Sequence, residues 1–103
     1  MKATDFLTVM GDFSLARDTL VIHPNDGFDL GFMTKTCAVK IVTGGTPADF
    51  AAGNATHVPG TVLLENACAC GTMRMNLSWW KKMGSPGKVK LFCNQDILLI
   101  SKT

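Results

Sequence analysis

Between Thr72 and Trp79 every second residue is polar. Thr72, Arg74, Asn76 and Ser78 alternate with Met73, Met75, Leu77 and Trp79. A period of two sends the two sets to opposite faces of an extended strand. The alternation returns at Lys88, Val89, Lys90 and Leu91, and less cleanly over Asp96–Ser101. The pattern assigns the chain to the β class. It names no reaction.

The rest of the chain divides at turn signals. Phe6–Met10 is a short apolar run that ends at Gly11 and Asp12. Thr19–His23 is a second run, and Pro24, Asn25, Asp26 and Gly27 follow it. Proline presets its φ, Asn and Asp tolerate turn geometry, and glycine supplies positive φ. The expectation is a hairpin closed at Gly27, with Phe28–Met33 as its second strand. Cys37–Thr43 is the next strand, ended by Gly44 and Gly45. Residues 44–60 form a long loop rich in small residues, with one helical turn over Ala48–Ala52 that has Thr46 as its cap and Pro47 at its first position. Loops of this length are often functional or ordered by a partner. Thr61–Asn66 and Thr72–Trp79 are strands, Lys81–Gly87 is a turn, and Lys88–Cys93 pairs with Ile97–Ser101 across Asn94, Gln95 and Asp96.

That count predicts an all-β fold: a small antiparallel barrel or sandwich of about seven to eight short strands. Antiparallel order is expected because parallel neighbours need long crossovers. With 103 residues there is room for one domain, 1–103. A hydrophobic content of 47% excludes a disordered chain. Asp5 interrupts the N-terminus before any apolar signal core forms, and no apolar stretch reaches the roughly 20 residues of a membrane-spanning helix. The expectation is cytoplasmic synthesis without a signal peptide, no membrane insertion, and incorporation into a particle as one destination. Asn54-Ala55-Thr56 and Asn76-Leu77-Ser78 match the glycosylation acceptor pattern and are read as chance.

The net charge of +2 hides an asymmetry. Residues 1–70 carry four basic and seven acidic side chains, net −3. Residues 71–103 carry six basic ones against Asp96 alone, net +5. Such a chain can dock on copies of itself or on a polyanion, unless its halves interleave and their fields cancel.

Enzyme chemistry has no support. His23 and His57 stand without a nucleophile motif, and neither a phosphate loop nor a dinucleotide fingerprint is present. Asp26 and Asp29 read as turn and surface residues. No cofactor is expected. Cys68 and Cys70 would share one face of an extended strand, where two thiolates could bind zinc with His57, Cys37 or Cys93. The spacing lacks a second pair, so buried free thiols are the preferred reading and no metal site is assigned. Disulfides fit poorly with a cytoplasmic origin. Trp79, Trp80, Lys81, Lys82, Lys88 and Lys90 form an aromatic-basic stretch that could stack bases and neutralise phosphates. The plainer account puts one Trp in the core, the other at a strand end or subunit interface, and the lysines in solvent.

Ile97, Leu98, Leu99 and Ile100 are apolar on both strand faces, as are Val62 and Leu64 with Leu63 between them. A small monomeric domain usually keeps one strand face wet. These residues are therefore the candidate interface of a non-enzymatic structural or assembly subunit, a homo-oligomer or part of a larger complex. By class analogy alone, components of virus particles and injection machines have this character. A single-stranded nucleic-acid-binding barrel and a zinc-stabilised interaction domain are the alternatives.

Overall fold

The computed structural model describes residues 2–43, 48 and 57–102. The alternation over Thr72–Asn76 is strand β6, with Met73 and Met75 wholly buried. In chain order the elements are β1 (Lys2–Ala3), β2 (Leu7–Asp12), β3 (Thr19–Ile22), α1 (Pro24–Asp29), β4 (Thr36–Val42), β5 (Val58–Leu64), β6, α2 (Leu77–Lys82), β7 (Lys88–Asn94) and β8 (Ile97–Lys102). The expected loop therefore ends at Val58, where β5 begins. Its remainder, with the expected helical turn and Asn54, lies outside the described residues except for Ala48 and His57.

Seven strands close on themselves in the order β7-β2-β6-β3-β5-β4-β8, and β8 pairs back with β7. The small all-β barrel is thus present. β1 adds to the edge of β7 that β2 also uses, so β1 and β2 act as one strand with an interruption. Ala3 faces Phe92 and Leu7 faces Val89, which leaves one extra residue on the N-terminal side, as in a β-bulge. Thr4 closes the gap. Its amide donates to the Leu91 carbonyl (3.0 Å), and its hydroxyl accepts from the Leu91 amide (3.2 Å).

Strand directions are mixed. Five pairings are antiparallel, while β2/β6, β3/β5 and β4/β8 are parallel. The crossover argument for a wholly antiparallel sheet fails for a topological reason. The parallel partners are not consecutive strands, so the strands between them carry the chain across, and no long loop is needed. The β7/β8 hairpin forms as expected. Asn94 pairs with Ile97 across Gln95 and Asp96, and Gln95 turns the chain at φ 60°.

The expected hairpin of Thr19–His23 with Phe28–Met33 does not form. Pro24–Asp29 is helix α1, residues 30–33 are turn and irregular chain, and β3 pairs with β5 and β6 instead. Leu77–Trp79, expected as strand, open a second helix. His23 caps α1: its Nδ1 accepts from the Asn25 amide (3.0 Å), and Pro24 occupies the first turn. Proline serves a helix start as well as a turn, because its fixed φ is helical and its missing N–H would be unpaired there anyway. Gly27 lies inside α1 and is not among the residues with positive φ. It is small because α1 sits against β5: a Cβ at Gly27 would lie 2.4 Å from a Leu64 methyl. Likewise β6 stops at Asn76, whose side chain caps α2 by accepting from the Trp79 amide (3.1 Å) and donates to the Leu15 carbonyl (2.8 Å). Leu77–Trp79 therefore leave the alternation. α2 seats on β2 at Gly11, where a Cβ would meet Leu77 at 2.6 Å and Trp80 at 3.1 Å.

The barrel interior holds the inward residues of all seven strands, including Leu7, Leu20, Ile41, Met73, Leu91 and Leu98. Val42 and Leu99 form a separate buried pair with Phe92 and Ile97 packed against them. The two-sided character of β8 follows: Leu98 and Ile100 point into the barrel, and Leu99 joins the second cluster.

Candidate interaction surfaces

The residues expected at a subunit interface lie inside the chain. Val62, Leu98 and Leu99 have no exposed surface, Ile100 has 1% and Leu64 has 8%. Only Ile97 is half-buried. This corrects the sequence-based assignment. Val62, Leu64, Leu98 and Ile100 face the barrel core and Leu99 a second buried cluster, so these side chains have almost no surface to offer a neighbour, while Leu63, on the other face of β5, is half-buried.

The exposed apolar surface is elsewhere. Phe13 is 85% exposed, Met33 84% and Phe28 69%. Phe13 stands in the turn after β2, where Asp12 accepts from both the amide (2.9 Å) and the hydroxyl (2.6 Å) of Ser14. These two bonds hold the Asp12 carboxyl below its usual range, and the Arg74 charge adds to them. Phe28 and Met33 border a groove of about 820 Å³ between α1, the segment after it and the end of β5. Phe32 and Leu64 give its wall apolar character, and Lys35 and Glu65 stand at its polar edge. The six-residue α1 tips Phe28 outward while burying Asp26 and Gly27, and Leu30 just after it is buried as well.

A second surface is the outer face of β7 and β2. Lys88, Lys90 and Phe92 alternate with buried Val89, Leu91 and Cys93. Lys90 Nζ stands 5.6 Å from the ring centroids of both Phe6 and Phe92, a cation–π distance. Phe6 stays 55% exposed and Met10 52%. Trp79 and Trp80 are not part of a stacking face. Both are half-buried against the core, and the Trp80 indole donates to the Pro86 carbonyl (2.8 Å). Lys81 and Lys82 are exposed on the last turn of α2. Lys40 and Asp96, at 3.8 Å, make the one ion pair among the described residues.

The four cysteines do not converge. Cys68 and Cys70 lie in a turn between β5 and β6, not on a strand, so they do not share a face. Cys68 is buried and its thiol donates to the carbonyls of Thr72 (3.4 Å) and Val21 (3.7 Å), whereas Cys70 is exposed. Burial pushes the thiols of Cys68 and Cys93 up, against the thiolate form a metal requires. Cys37 donates to the Thr34 carbonyl (3.4 Å), and His57 is exposed just before β5. Among the described residues no three His, Cys, Asp or Glu side chains gather as a metal site would require. Alkylation at neutral pH with peptide mass mapping is expected to label Cys70 well before Cys68 or Cys93. Equal labelling of Cys68 and Cys70 would contradict this burial.

Asp26 is the residue that sequence reasoning missed. It is 8% exposed, and its carboxylate accepts from the Gly71 amide (2.9 Å), with the Cys70 sulfur at 3.9 Å. It ties α1 to the turn before β6, which is a positional role. Its place in a Pro-Asn-Asp-Gly string carries no mark of that long-range partner. Compared with protein-family models, curated proteins and solved structures, the chain matches none. Among the described residues no helix is long and apolar enough to cross a membrane.

Proposed function

We propose that the chain is a non-enzymatic structural subunit that packs against copies of itself or a larger assembly through Phe13, Phe28 and Met33. One observation carries this reading. Three large apolar side chains keep 69–85% of their surface in solvent, more than any other large apolar side chain among the described residues. Scattered exposed apolar residues are ordinary, but Phe28 and Met33 share the rim of one groove, and such patches mark interaction sites. Burying each of them contributes roughly 1.5–3 kcal/mol. A specific interface typically buries about 1,200 Å² or more, so the groove would form its centre and polar neighbours such as Lys35 and Glu65 its rim.

Light scattering and native mass spectrometry over a range of protein concentrations test the proposal. The wild-type chain is expected to exceed the monomer mass. The double variant Phe28→Lys, Met33→Lys is expected to dissociate, with association weakened on the order of a hundredfold and the circular dichroism unchanged. A wild-type chain that stays monomeric at every concentration, alone and with the components of its native assembly, would overturn the reading.

A further inference from the structure

We infer that the outer face of β7 and β2 binds single-stranded nucleic acid, with Phe6 as the stacking platform and Lys88, Lys90 and Arg74 of the neighbouring β6 along the backbone path. This rests on observations independent of the α1 groove. The three cations share one side of the sheet because Lys88 faces Thr8, Lys90 follows it at strand spacing on β7, and Arg74 faces Met10, all on the side opposite buried Leu7, Val9, Met73, Met75, Val89 and Leu91. From Gly11 to Leu7 this flank spans about 13 Å of strand, the length of a few nucleotides.

The cations on this face are uncompensated at contact range. Among the described residues none of Lys88, Lys90 and Arg74 has a carboxylate within 4 Å. Asp5 precedes β2 and Asp12 ends it, and Asp12 is engaged by Ser14. Arg74, Lys88 and Lys90 against these two carboxylates leave the face with net positive charge. The aromatic component comes from Phe6, in the bulge between β1 and β2, with Lys90 held over its ring and over Phe92. A cation beside an exposed ring on a sheet surface matches both parts of a single strand, phosphate and base. An acidic protein would use the charge but leave the ring without a matching planar partner, and duplex DNA keeps its bases stacked inside.

The test is fluorescence anisotropy with a labelled oligothymidylate of about 15 nucleotides, longer than the expected site, over a salt series. Affinity is expected to fall steeply with salt. The double variant Lys88→Ala, Lys90→Ala is expected to flatten the slope of log affinity against log salt by about 1.4, near 0.7 per lost phosphate contact. Phe6→Ala is expected to weaken binding about fivefold or more while leaving the slope nearly unchanged. All three positions are on the surface, so circular dichroism should match the wild type. Absence of binding at low salt overturns the inference. So does binding that neither variant alters, or equal affinity for a duplex of the same length with no effect of Phe6→Ala.

Discussion

Replacing Gly60 with valine is expected to cost the fold about 3 kcal/mol or more, read as a fall in the urea midpoint. Gly60 lies in β5 opposite Val39 of β4. A Cβ there would stand 2.2 Å from the Ile41 terminal methyl and 2.8 Å from the Asp18 carbonyl oxygen. Neither neighbour can yield cheaply. Ile41 is 1% exposed and locked in the barrel core. The Asp18 oxygen is backbone and already accepts from the Thr61 amide at 2.9 Å, at the point where β3 meets β5. Valine would have to push Ile41 off its rotamer and open the β3/β5 seam together. Gly60→Ala should lose less, since it adds one methyl and not three carbons. Gly87 supplies the control: a Cβ there meets nothing within 4 Å, so Gly87→Ala should stay within about 0.5 kcal/mol of wild type. Equal midpoints for the Gly60 and Gly87 variants would mean that β5 does not sit this close to β3 and β4.

Strands with a solvent face were legible in the sequence, because burial on one side forces alternation. β6 and the β7/β8 hairpin were readable for this reason, and β3 and β4 from their β-branched runs. The two helices were not legible. Six residues are too few for helicity to show as periodicity or to stand without tertiary support. Pro24 and Gly27 looked like turn chemistry because local signals for a turn and for a proline-started helix coincide. What decides is Leu64, 37 positions away from Gly27, whose side chain leaves room for glycine alone. Leu77–Trp79 read as strand because the alternation runs on past Asn76, a residue that suits a helix cap as well as the polar face of a strand; its side chain both caps α2 and holds Leu15.

The same limit governs the surfaces. Apolar runs over Val62–Leu64 and Ile97–Ile100 are two-sided in the sequence whether the second face meets a neighbour or the same chain. The closed barrel and its second buried cluster answer the question in favour of the same chain for all but Leu63 and Ile97, which stay half-buried. Phe13, Phe28 and Met33 carry no pattern that sets them apart from core residues. Their exposure follows from a turn and from the orientation of a six-residue helix. The basic face was partly legible, since Lys88 and Lys90 alternate with apolar residues in the chain. Phe6, about eighty residues away, joins them only through the pairing of β2 with β7.

Leu98→Ala is expected to destabilise the fold by about 2–5 kcal/mol, and the loss should not depend on protein concentration. The two halves of this prediction separate core from interface. Leu98 has no exposed surface and pairs with Ile41 on one side and Cys93 on the other, inside the barrel. Truncation leaves a cavity among strands that are hydrogen-bonded on both edges and cannot collapse to fill it. If Leu98 instead lay between subunits, association would stabilise the folded chain by mass action, and the midpoint would rise with concentration in wild type but much less in the variant. The comparison belongs in the Phe28→Lys, Met33→Lys background, where the proposed groove contact is absent and any remaining concentration dependence must come from another interface. A loss under about 1 kcal/mol there, or one that grows with concentration, would place Leu98 outside the core. The side chain lies at the closure between β4 and β8. A full-sized, concentration-independent loss would therefore also support the closed barrel, since an open sheet would leave that edge free to relax around the missing carbons.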